Sequence, residues 1–301
     1  MDQMDLFSQA DEHLEKAMQA LLETDFSGAR KELQTARSIN PFLPNLDATQ
    51  HMIDFFQKFH KKAKNTAEAL ADVYEAVPEA VLKGSLLLRE AELIEETMAK
   101  MALQNVKMSK PILESGKRLH WGYCHLLNRQ FGKADKVFKE TLNVPREQRA
   151  DLWGYYGDLC HVQNDQRQAQ SAYIRALLLN PQELEMYRLR HSGLKQVFRD
   201  LLLDKKGAEV RSRLLFEAWH KELFTFINTG RSTDSQPEGL QALLKKPLPK
   251  DRPGKWHRFS IHFYIDQMNA KVDVSNRESM QKIDPELFQR YLQILKERSQ
   301  G

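Results

Sequence analysis

Ten histidines and a dense run of glutamates are the side chains here best equipped for metal or acid–base chemistry. Their spacing decides whether they can act together. A helical zinc pair needs histidines at i and i+4 on one face. His120 and His125 are five apart, and His51 and His60 are nine apart. His257 and His262, placed on a strand, point to opposite sides. No Cys-x-x-Cys occurs, so no metal site is expected. Glu90, Glu92, Glu95 and Glu96 read as one solvated helix face. Gly84, Gly116 and Gly207 stand alone rather than in a phosphate loop, and no Gly-x-Ser-x-Gly elbow is present. The chain nominates no nucleophile, no base and no cofactor site. It reads as a non-enzyme.

Basic residues offer a different chemistry. Lys58, Lys61, Lys62 and Lys64 form one cluster. Lys245, Lys246, Lys250, Arg252, Lys255 and Arg258 form another, beside Trp256 and Phe259. Phosphate contacts with adjacent stacking are what such a set suits, and the segment 245–258 carries a nucleic-acid-binding alternative. The plainer reading is an exposed helix end and a flexible basic linker. The net charge of +4 divides as +6 over residues 183–301 and −2 over residues 1–182. That asymmetry permits an acidic partner without requiring one.

The elements that must carry these residues are helical. Gly at 13 and Pro at 11 in 301 positions give too little punctuation for an all-β domain. Leu14, Ala17, Met18, Leu21 and Leu22, then Ala29, Leu33 and Ala36, fall at helical spacing on either side of Thr24-Asp25, and Pro41 closes the second run. The stretch 45–110 is helical without a repeat signature, with one run ended by Pro78 and another from Leu86 to Ala102. Pro111 suits the first turn of a new helix. Helices are expected at about 183–203 and 208–228. Gly and Pro then crowd 229–254, which reads as a linker with a short helix at 240–244. Trp256 to Ile265 is the one strand-like run, although its ten residues also suit a buried helix. Asp284-Pro285 opens a final helix. The N-terminus has no signal-like apolar core and no stretch is long enough to span a membrane. Cys124 and Cys160 then fit reduced thiols in a cytoplasmic protein.

One pattern recurs. Its cleanest copy is Trp153, Gly157, Ala169, Tyr173, Ala176 and Pro181. Ala29, Leu33, Ala36 and Pro41 repeat its second half, with Ala17 in the place of Gly157. Gly122, Ala134, Phe138 and Thr141 form a third copy, with Pro145 one residue early. Small residues flanking a large one on a helix face let a neighbouring helix approach closely. These segments resemble tetratricopeptide repeats, W-x2-L-G-x2-Y…A-x3-F…P over about 34 residues. Tyr156 takes the Leu slot and Cys160 the Tyr slot.

The resemblance implies an all-α solenoid of helix hairpins, of about nine to eleven helices. The repeat domain is expected over 1–229, with repeats near 10–43, 115–148 and 150–183. A linker over 230–255 and a small C-terminal appendage over 256–301 follow. It also implies a concave surface, lined by the first helix of each pair, that holds a partner peptide or helix. Its groove positions here are Leu14, Met18, Leu21, Leu119, Tyr123, Leu126, Asp158 and His161. The Lys/Asn clamp that the chaperone-binding members use on a terminal carboxylate is absent. The function implied is a protein-binding adaptor or assembly factor.

Overall fold

The computed structural model describes residues 3–107, 118–145, 148–203, 207–226, 240–269 and 272–300. Among them are fifteen α-helices and no β-strand. No described helix is long and apolar enough to cross a membrane. The chain divides into two compact units, Met1–Phe138 and Lys139–Gly301.

The first unit holds α1 (Gln3–Leu22), α2 (Phe26–Ile39), α3 (Leu46–His60), α4 (Thr66–Leu82), α5 (Leu88–Asn105), α6 (Trp121–Leu127) and most of α7 (Phe131–Leu142). From α1 to α6 each helix packs on the next, and α1, α3 and α5 also touch one another. The second unit holds α8 (Ala150–Val162), α9 (Gln166–Leu179), a 3-10 turn η1 (Pro181–Glu183), α10 (Ser192–Leu202), α11 (Gly207–His220), α12 (Leu240–Lys245), α13 (Arg252–Met268), α14 (Val274–Ile283) and α15 (Pro285–Gln300). There α8 pairs with α9, while α11 and α13 form the centre.

The recurring small and large residues meet inside the hairpins. A Cβ on Gly157 would lie 2.7 Å from the Tyr173 ring, and one on Gly122 would lie 2.8 Å from the Phe138 ring. Ala17 and Leu33, their counterparts in the first hairpin, are both buried. The hairpin turns share a backbone as well. Thr24, Arg129 and Asn164 are left-handed, with φ of 63°, 56° and 62°. The next residue donates its N–H five positions back in each case: Asp25 to Ala20, Gln130 to His125 and Asp165 to Cys160. This is the helix-terminating geometry that satisfies otherwise orphaned carbonyls. Glu222 (φ 59°) and Leu223, which donates to Ala218, repeat it after α11. Prolines close the second helices: Asn40 and Asn180 are extended, cap α2 and α9, and precede Pro41 and Pro181.

Several expectations are corrected. Of the two readings of Trp256–Ile265 the strand is excluded and the buried helix holds: Asp251 caps α13, Pro253 sits in its first turn, and its aromatics are buried on more than one side. Nor is the C-terminal segment a small appendage, since α13 packs on α9, α11 and α14. Helix α4 runs through Pro78, where burial of Leu70, Val73 and Val77 outweighs one missing backbone hydrogen bond. The helix expected at 183–203 begins only at Ser192, because Leu184 and Leu189 lie in an irregular stretch covering Gly154. Glu95 is buried rather than solvated. It lies on the inner face of α5 with Ala91, Met98 and Ala102 and accepts the Tyr123 hydroxyl at 2.7 Å. The expected start at Pro111 and the linker residues 230–239 lie outside the described residues.

Candidate functional site

A groove of about 740 Å³ opens in the first unit between α1, the α2–α3 connection, α3 and the start of α5. Pro41 ends α2, so the chain leaves the helix and presents Phe42, which is 91% exposed. Asn45, left-handed at φ 71°, turns the chain into α3. Leu43, Leu46 and Thr49 then form a buried floor, while Leu14 and Met18 of α1 and Leu93 of α5 are half-buried walls. At the far rim Leu87 is 69% exposed. Its N–H donates to Glu90 Oε2 at 2.8 Å, which fixes the first turn of α5.

The rim is acidic. Asp47, Glu90, Glu92 and Glu96 line the groove, against one cation, Arg89. Asp47 meets Arg37 at 2.7 Å and Glu90 meets His51 at 3.0 Å. The Leu87 N–H and then His51 hold the Glu90 carboxyl below its ordinary range. Glu92 and Glu96 are exposed on the α5 surface. Apolar walls with carboxylates at the edge suit an apolar side chain flanked by cations. They offer no nucleophile–base pair.

Of the residues expected to face a partner, Leu14 and Met18 line this groove. The others do not. Leu21, Leu119, Tyr123 and Leu126 are buried. Tyr123 packs edge-on to Tyr74 at 5.8 Å, in addition to its bond to Glu95. Asp158 is buried too, accepting the Tyr173 hydroxyl at 2.5 Å and the Arg190 N–H at 2.7 Å. Burial pushes its carboxyl up to about 7 despite those bonds. His161 is half-buried and stacks on His191 at 5.5 Å. These first-helix positions are filled by the protein's own aromatic and polar partners, so the repeat pattern alone does not locate an open surface.

Phe42, Leu46, Leu87 and Leu93 were missed. Phe42 carries a legible signal, a large apolar residue in a short connection between Pro41 and Pro44. Among the described residues no group of three or more His, Cys, Asp or Glu is arranged to hold a metal. No family model, no curated protein and no solved structure matches this chain.

Proposed function

We propose that this chain is a non-catalytic docking scaffold whose tetratricopeptide-like hairpins present a groove to a partner's peptide or helix. The observation that carries the reading is the groove formed where α1, α3 and α5 meet, with half-buried apolar walls and the exposed Phe42 and Leu87 at its edge. Covering apolar surface contributes roughly 25 cal/mol per Å², set against the ordering and association costs of binding. The acidic rim favours a segment with an apolar ridge and Lys or Arg beside it. That segment is most simply an amphipathic helix laid into the groove. Two buried free thiols, Cys124 and Cys160, support a reducing, cytoplasmic setting.

Selection from a displayed peptide library tests this. The full chain is expected to enrich peptides that combine Leu or Phe at helical spacing with Lys or Arg. Phe42→Ser and the pair Glu92→Lys, Glu96→Lys are expected to lose them, while Leu203→Ser, at an exposed position in the second unit, keeps them. Enrichment that ignores the groove variants overturns the reading.

A further inference from the structure

We propose a second binding site: a cationic pocket beside the first turn of α13 that takes a phosphate anion, as a terminal phosphate or pyrophosphate group. The pocket, of about 320 Å³, is lined by Lys250, Arg252, Lys255, Trp256, Ile283 and Asp284. That volume is at the small end for ligand pockets and suits a compact group.

Charge is concentrated around it. Residues 245–255 hold Lys245, Lys246, Lys250, Arg252 and Lys255 against one carboxylate, Asp251, for a net +4 that equals the charge of the whole chain. Several cations elsewhere in this unit meet carboxylates: Arg277 with Asp266, Arg213 and Arg290 with Glu217, Arg211 with Glu185, and Lys221 with Asp200. The five cations here have no such ion pair among the described residues. The two nearby carboxylates are engaged with N–H groups. Asp251 accepts from Gly254 N at 2.9 Å; Asp284 accepts from Trp256 Nε1 at 2.7 Å and Leu287 N at 2.9 Å. A concentration of like charge is unfavourable in isolation and favours an anion that relieves it.

The segment is also held in place. The Arg258 guanidinium, almost fully buried, donates to the carbonyls of Leu244 and Lys246 at 2.8 and 3.1 Å. Pro249 folds so tightly onto Gly254 that a Cβ there would lie 2.5 Å from the Pro249 ring. The Arg252 guanidinium rests on the Trp256 indole, 4.5 Å from its centre. A backbone held before a ligand arrives, with Arg252 already seated on Trp256, loses less freedom on binding it. Trp256 is only 2% exposed, so it gives no platform for a nucleic-acid base. Recognition therefore rests on phosphate oxygens and not on stacking.

Calorimetric titration of the full chain with inorganic pyrophosphate tests the site. Saturable binding is expected that weakens as salt rises. Arg252→Gln with Lys255→Gln should weaken it by at least about tenfold, the scale of a lost charge-assisted bond. Lys250→Gln, which disturbs no described side-chain contact, should weaken it by a smaller factor, and Lys31→Gln in α2 should leave it unchanged. A single-stranded oligonucleotide with a 5′-phosphate should compete, and the same strand without it should not. Absence of saturable binding overturns the proposal, as does equal affinity in the Lys250 and double variants. So does equal binding of both strands that pyrophosphate fails to displace.

Discussion

Asp158 shows how a single side chain can carry a pH dependence opposite to that of most carboxylates. Its unfolded pKa is about 3.9, and burial raises the folded value to about 7. The folded chain therefore holds a proton that the unfolded chain releases, and this contribution to stability falls as pH rises from about 4 to about 7. Asp158→Asn keeps an oxygen for Tyr173 and Arg190 and removes the titration. The stability difference between variant and wild type is expected to shift in favour of the variant across that window, read by denaturant melts at several pH values. A flat difference would count against a buried, protonated carboxyl. Gly157 makes a steric prediction. A Cβ placed 2.7 Å from the Tyr173 ring forces a shift in a packed core, and Gly157→Ala should lower stability by about 1–3 kcal/mol. Gly132→Ala in α7, where the added carbon meets nothing, should be neutral or raise stability by up to about 1 kcal/mol. The close approach at Gly157 was legible in the sequence, from the small residues Gly157 and Ala169 on the two helices of the hairpin. Asp158 was not, because periodicity says which face a residue occupies and not what already fills that face.

Among the elements, the turns explain most of what the sequence concealed. Thr24, Arg129, Asn164 and Glu222 share one left-handed backbone but no residue type, so no turn motif announces it. A β-branched residue fits that geometry poorly. Thr24→Gly is accordingly expected to raise stability by roughly 0.5–1 kcal/mol in chemical denaturation. Asn164→Gly should change it by only a few tenths of a kcal/mol, since Asn tolerates the conformation. Element type was legible where spacing was regular and caps were present: Asp25 and Asp284 stand where helix starts were read. At α13 the local sequence leaves strand and helix both open. A run of aromatic and β-branched residues looks like a strand locally, and only Phe216, Trp219 and Tyr291, which its Phe263 meets edge-on, show that a helix buried on several sides is required.

For the molecule as a whole, helical class and hairpin pairing were readable from composition and from the recurring small and large residues. The division near Phe138 was not. It falls within α7, a strongly patterned helix with no Pro and with its one Gly, Gly132, back at its start. The open groove was equally hidden, because Phe42, Leu46 and Leu93 come from separate elements and gain meaning only together. Each unit also encloses one sulfhydryl, Cys124 in the first and Cys160 in the second. Burial pushes the Cys124 thiol up to about 12, so almost none of the reactive anion exists at neutral pH. Iodoacetamide should leave native protein essentially unmodified and alkylate each site only as its surroundings open. Peptide-resolved mass spectrometry of that labelling would time the opening of the two halves separately, with no dye or engineered probe.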